Sequence, residues 1–115
     1  MNELESLTRQ ILAFRDERDW AQFHNPKDLA LSLTLEAAEV LEIFQWQEGD
    51  AVRATADAKK PELANELADV LYYALLLASE LKIDLATALQ SKLASNALKY
   101  PVDKARGSNK KYTEL

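Results

Sequence analysis

Two stretches decide how this chain reads: Leu31-Ser-Leu-Thr-Leu-Glu36-Ala-Ala-Glu39-Val-Leu-Glu42 and Glu66-Leu-Ala-Asp69-Val-Leu-Tyr72-Tyr73-Ala-Leu-Leu-Leu77-Ala78. Each sets two acids three residues apart, so on a helix Glu36 and Glu39, and likewise Glu66 and Asp69, fall on neighbouring turns of one face. Around both pairs the sequence is strongly apolar. Four carboxylates aimed into such surroundings repel one another and resist desolvation. A divalent cation removes both penalties. Hard oxygen ligands favour magnesium or manganese, and magnesium completes its shell with water and substrate phosphates. The alternative is that these acids are solvated faces of surface helices, where Glu and Asp are usually found.

The rest of the composition narrows the class. The chain has 115 residues, enough for one domain with a real core, and residues 1–115 read as a single all-α domain. Only two Gly and three Pro accompany many Leu and Ala, which leaves little material for turns between strands. With no Cys there are no disulfides, thiolate metal sites or cysteine nucleophiles, and the composition fits a reducing, cytoplasmic interior. Met1 to Arg18 is amphipathic and charged, unlike a secretory signal, and the apolar run Val70 to Ala78 is too short to cross a bilayer. A net charge of -5 argues against nucleic-acid binding, which needs a basic surface. It leaves room for a small phosphorylated ligand, because a metal can supply the positive charge.

Periodicity places the elements. Leu4, Leu7, Ile11 and Phe14 recur at helical spacing over Glu3 to Arg18. Asp19-Trp20-Ala-Gln-Phe23-His24-Asn25-Pro26 breaks that pattern as a loop rich in flat side chains, suited to capping a core or to stacking on a planar ligand. His24 is the one histidine, and a lone histidine reads first as a hydrogen-bonding loop residue. A second helix is expected from Pro26 to about Gln47, with Gly49 as its stop. Asp50 to Lys60 reads as a short helix or a linker. Pro61 opens a third helix running to about Leu81, favoured by Glu62 near its positive end. Val70 to Ala78 is apolar around most of that helix, and a helix of this kind is buried on several sides. A chain this small can hardly enclose it, so an oligomer interface is expected along Tyr72 to Leu77. Asp84 caps a fourth helix, Leu85 to about Leu98, which Pro101 ends. The tail from Val102 has no core of its own and is expected to be flexible.

Glu36-x-x-Glu39 followed by Glu66-x-x-Asp69 resembles the signature of the all-α nucleotide pyrophosphohydrolases, the MazG-like superfamily. Arg18-Asp19-Trp20-x-Gln22-Phe23-His24-x-Pro26, Phe44-Gln45-Trp46, Ser91-Lys92, Asn96, Tyr100-Pro101 and Lys111-Tyr112-Thr113-Glu114-Leu115 resemble its dCTP pyrophosphatase branch. The resemblance covers nearly the whole chain. It implies a four-helix-bundle fold completed by dimer or tetramer formation, and magnesium-dependent hydrolysis of a deoxynucleoside triphosphate to the monophosphate and pyrophosphate. Manganese is the second metal it allows. By the same resemblance Glu36, Glu39, Glu66 and Asp69 are metal ligands, and Trp20, Trp46 and Tyr73 line the base and sugar pocket. Lys92 and Asn96 lie near the phosphates, and His24, inside the first of these motifs, joins the substrate-binding set. Glu36 or Glu39 is the expected activator of the attacking water. Tyr73 stands four residues beyond Asp69, which on a helix puts both on one side. Two alternatives are the same reaction on another nucleoside triphosphate and a non-catalytic helical interaction module.

Overall fold

The structure is a computed structural model that describes residues 2–115. Six α-helices follow in chain order: α1 (Glu3–Glu17), α2 (Pro26–Glu42), α3 (Asp50–Ala58), α4 (Lys60–Glu80), α5 (Leu85–Lys99) and α6 (Val102–Ala105). Short 3-10 turns occupy Ala21–Phe23 and Tyr112–Glu114, and among the described residues there is no strand. The all-α class read from the sequence is therefore what the chain adopts.

Local chemistry explains where the helices start. Asn2 caps α1 in a reciprocal capping box: the Glu5 N–H donates to Asn2 Oδ1 at 2.8 Å, and the Asn2 N–H donates to a Glu5 carboxylate oxygen at 3.3 Å. Asn25 caps α2 by its side chain alone, accepting the Asp28 N–H at 2.9 Å, while Pro26 fills a first-turn position that needs no donor. Asp84 accepts the Thr87 N–H at 3.1 Å and opens α5, and Pro61 lies in the first turn of α4.

The end of α2 differs from the expectation of a helix running to Gln47. It stops at Glu42, and residues 43–47 tighten into turns in which Phe44 N–H donates to Leu41 O at 2.9 Å and Gln47 N–H to Phe44 O at 2.9 Å. Helix ends often contract to i+3 bonding in this way. Gly49 is not a stop for α2. It sits at φ 56° and ψ -133° as the residue that leads into α3, a backbone region that glycine enters without steric cost. Asp50 to Ala58 is helical, so the segment is a short helix.

The chain divides into two compact units, Met1–Lys82 and Ile83–Leu115. In the first, α4 packs chiefly on α2, then on α1 and more lightly on α3. Leu29 of α2 and Leu75, Leu76 and Ala78 of α4 are its buried core, with Leu29 and Leu76 at 2% and 1% exposure. These three α4 residues are enclosed by their own chain and need no partner. The large apolar side chains of α2 and α4 that stay exposed lie elsewhere, at Leu31, Leu35 and Leu41 of α2 and at Leu67 and Leu71 of α4. In the second unit the tail folds back on the end of α5. The rings of Tyr100 and Tyr112 meet edge to face at 5.9 Å, and Lys99 Nζ lies 5.0 Å over Tyr112. That is more order than a coreless, flexible tail would have.

Leu76 is the most enclosed side chain of the core. Leu76→Ala should therefore destabilise the protein by about 2–5 kcal/mol, the range for emptying a buried leucine site. Equilibrium denaturation measures this, and a loss below about 1 kcal/mol would show that the site is not closed as described.

Candidate active site

The two acidic pairs converge where α2 meets α4. One carboxylate oxygen from each of Glu36, Glu39 and Glu66 lies within 4.8 Å of the others, a grouping that can hold a metal ion. Asp69 stands beside this trio and not within it: it shares a cleft wall with Glu36, and its charge is felt by both Glu36 and Glu66. The i, i+3 spacing on each helix sets the two pairs facing, because α2 and α4 are the most closely packed elements of the unit.

Electrostatics at this point are strained. Glu66 is pushed from its ordinary 4.5 up to about 7, first by its hydrogen-bonding contact with the Glu39 carboxyl, then by desolvation, then by the charges of Glu39, Glu36 and Asp69. Glu36 is also raised, chiefly by burial, with the Glu39 contact next. One oxygen of each, Glu36 Oε2 and Glu66 Oε2, is buried without a hydrogen-bond partner. Buried oxygens normally have partners, and an acceptor left alone costs free energy. A divalent cation fits this donor set. It would be coordinated by hard oxygen ligands, would satisfy both orphaned atoms and would cancel the repulsion.

From the acids a cleft of about 730 Å³ opens between α1 and α4. Glu36 and Asp69 give its lining an acidic part, and Tyr72 and Tyr73 of α4 with Phe14 and Trp20 give it an aromatic part. Leu7, Gln10 and Ile11 of α1 complete the wall. The rings contact one another edge to face: Phe14 meets Trp20 at 5.8 Å and Tyr72 at 6.3 Å, and Tyr72 meets Tyr73 at 5.0 Å. Volume and lining suit a small organic ligand with an aromatic portion and an anionic portion. Burial raises the Tyr72 pKa, the nearby Tyr73 adds to this, and Arg18 and Arg15 oppose it, so the hydroxyl stays neutral and able to donate near pH 7.

Of the residues expected at a substrate site, the cleft includes Trp20 and Tyr73. Trp46 is not part of it and stands 84% exposed in the turn after α2. His24 follows the 3-10 turn and also lies off the cleft wall; its Nδ1 is buried and has no hydrogen-bond partner. Lys92 and Asn96 belong to α5 in the second unit, with Lys92 exposed and Asn96 half-buried. Phe14 and Tyr72 are cleft residues that spacing alone did not single out. The available signal was adjacency: Phe14 ends the apolar stripe of α1, and Tyr72 lies one turn beyond Asp69.

Helices that bring acids and aromatic rings to one cleft define an all-α protein with an acidic site able to hold a metal, and comparison with known proteins identifies its family. The MazG-like family model matches residues 31–115, and the chain belongs to that family. It is 41% identical over 114 residues to human dCTP pyrophosphatase 1, spanning 97% of this chain and 67% of the relative. The rat dCTP pyrophosphatase 1 is 43% identical over 115 residues, with 97% and 67% covered. Among solved structures, a pyrophosphatase from Archaeoglobus fulgidus DSM 4304 matches with a TM-score of 0.83 and 38% identity, over 88% of this chain and 94% of that one. The matches to the mammalian relatives run over almost all of this chain, so they take in α1 and Trp20 as well as the acids.

The raised Glu66 pKa gives a pH signature for the metal-free protein. A carboxyl that binds its proton more tightly folded than unfolded contributes stability at low pH, and that contribution is lost as pH rises from about 4.5 to about 7. Thermal melts in chelator should therefore show Tm falling across that window. Glu66→Gln, which keeps a neutral group there at every pH, should flatten the fall. A wild-type Tm that holds or rises through the window contradicts the repulsive cluster.

Proposed function

We propose that this chain hydrolyses a deoxynucleoside triphosphate, dCTP or a base-modified dCTP, to the monophosphate and pyrophosphate, clearing the cytoplasmic nucleotide pool. The observation that carries the reading is the juxtaposition of repelling carboxylates with an aromatic cleft of the right size. Family membership and relatives named as dCTP pyrophosphatase support the same reaction class.

In this reading the ligand lies along α4, anion toward the acids and base toward Trp20 and Phe14. Glu36, Glu39, Glu66 and Asp69 hold Mg2+, or Mn2+ in its place, and that cation supplies charge neutralisation for the triphosphate. Tyr73 and Tyr72 flank the sugar between the two ends. The water oxygen bonds to one of the two phosphorus atoms of the α–β phosphoanhydride, the bridging P–O bond of that linkage breaks, and the products are the monophosphate and pyrophosphate. We assign the water's proton to Glu36, with Glu39 as the second candidate, because these carboxylates stand at the acidic cluster where the triphosphate would be held. Lys92 and Asn96 are assigned to the phosphates on family resemblance alone, and His24 and Trp46 to substrate contact on the same ground. No helix among the described residues is long and apolar enough to cross a membrane, and the substrate is a small molecule, not a nucleic acid.

The assembly we propose is a homodimer or homotetramer. Leu31 and Leu35 lie one turn apart on α2, Leu67 and Leu71 one turn apart on α4, and all four are exposed. Apolar stripes of this kind mark surfaces that a second chain covers. Trp46, exposed beyond the end of α2, then becomes available to a neighbouring chain's site.

A panel of nucleotides incubated with Mg2+ tests the reaction. The expected products are monophosphate and pyrophosphate, with dCTP among the preferred substrates; orthophosphate as the first product would contradict the reading. Glu39→Gln and Asp69→Asn should each remove turnover while keeping the helical circular dichroism spectrum. Light scattering should return a multiple of the 13.0 kDa chain mass. A species of that mass itself would rule out the proposed assembly.

A further inference from the structure

The turn that carries Trp20 is held by more interactions than a short loop requires. α1 ends in a paired set of backbone bonds, Asp19 N–H to Asp16 O at 3.1 Å and Trp20 N–H to Arg15 O at 3.1 Å. Such an end places one residue in the left-handed region, usually glycine. Here that residue is Asp19, at φ 53°, a strained conformation for a residue with a side chain. Gln22 Nε2 braces it, donating to the Asp19 carbonyl at 2.9 Å and to its carboxylate at 3.1 Å.

Arg18, one residue earlier, closes the arrangement. Its guanidinium carbon lies 3.7 Å from the centre of the Phe14 ring and 6.0 Å from that of Trp20. Its Nη1 donates to the Phe14 carbonyl at 2.9 Å. Its ion pair with Glu17, at 3.5 Å between exposed neighbours, contributes little and does not explain the pose. Phe14 is thus covered on one face by Arg18 and meets Trp20 with an edge-to-face contact.

We infer that Arg18 is a positioning residue for the base site: stacked on Phe14 and tied to its carbonyl, it fixes the ring against which Trp20 stands, so Trp20 offers a preformed stacking face. This rests on the assignment of Trp20 to the base made above. A ring that is already ordered loses less freedom when a nucleotide binds, and the benefit appears in binding, not in the chemical step. Planarity is what the role needs. A lysine keeps the charge but cannot lie flat on the ring or keep the same fork of donors.

Arg18→Ala, Arg18→Gln and Arg18→Lys should each raise KM for dCTP about three- to tenfold while kcat stays within about twofold. The second readout needs no nucleotide. With Trp46→Phe introduced, Trp20 is the one tryptophan left of two, and its fluorescence should become more readily quenched by acrylamide and less anisotropic in all three Arg18 variants. Unchanged Trp20 quenching and anisotropy would overturn the inference. Restoration of KM by lysine would also overturn it, because charge alone would then suffice and Arg18 would act directly on the phosphates. Trp20→Ala separates this from failure of the base assignment. If Trp20→Ala raises KM and the Arg18 variants do not, the positioning role is wrong. If neither raises KM while Trp20 is loosened in the Arg18 variants, the base assignment is wrong and the mechanical role of Arg18 stands.

Discussion

Three glutamate oxygens within 4.8 Å of one another are the constraint around which the first unit is arranged. Like charges at such separations repel, which disfavours the group fully ionised and alone. Two responses are open to it: hold a proton, or hold a cation. The rise of Glu66 to about 7 is the first response, and it leaves Glu36 and Glu66 each with a buried oxygen that nothing satisfies. A cation answers repulsion and orphaned oxygens together. The cluster is therefore poorly suited to standing fully ionised with neither proton nor cation near neutral pH.

That arrangement persists because one helix serves both chemistry and core. α4 carries Glu66, Asp69, Tyr72 and Tyr73 in its first four turns or so, then Leu75, Leu76 and Ala78, which are buried. The buried half fixes the position of the helix against α2, and this in turn fixes the distance between the two acidic pairs. α1 contributes in a different way. Its apolar stripe gives the cleft Leu7, Ile11 and Phe14, and its capped end aims the turn that holds Trp20. Repulsion among the acids is thus held by packing, and ring geometry by a braced turn.

Much of this was legible in the residues. Paired acids at i, i+3 inside apolar sequence pointed to a shared site, because helical spacing converts directly into a common face. Asn25-Pro26 and Asp84 marked helix starts, because a side-chain cap acts locally. Other features were not legible for equally physical reasons. Periodicity says which face of α1 is apolar but not what that face meets, so Phe14 read only as a member of the apolar repeat and not as the cleft wall it forms, 41% exposed. Trp20 and Trp46 look alike in sequence, yet only Trp20 lies on a turn folded against another ring. The all-round apolar run on α4 suggested an interface at Tyr72 to Leu77, whereas α2 and α1 already cover much of it and leave Leu67 and Leu71, earlier on the same helix, exposed. The end of α1 near Arg18 was legible, but the left-handed conformation of Asp19, where a glycine would be the usual signal, was not.

The central claim is that a cation replaces a proton in the acidic cluster, and calorimetry can count that exchange. Mg2+ is titrated into the metal-free protein at pH 6 in two buffers of different ionisation enthalpy. With Glu66 raised to about 7, most molecules hold a proton there at pH 6, and binding should expel on the order of one proton per site. Glu66→Gln should bind more weakly and release markedly less. Mg2+ binding without proton release in the wild-type protein, or no binding at millimolar Mg2+, would contradict the account.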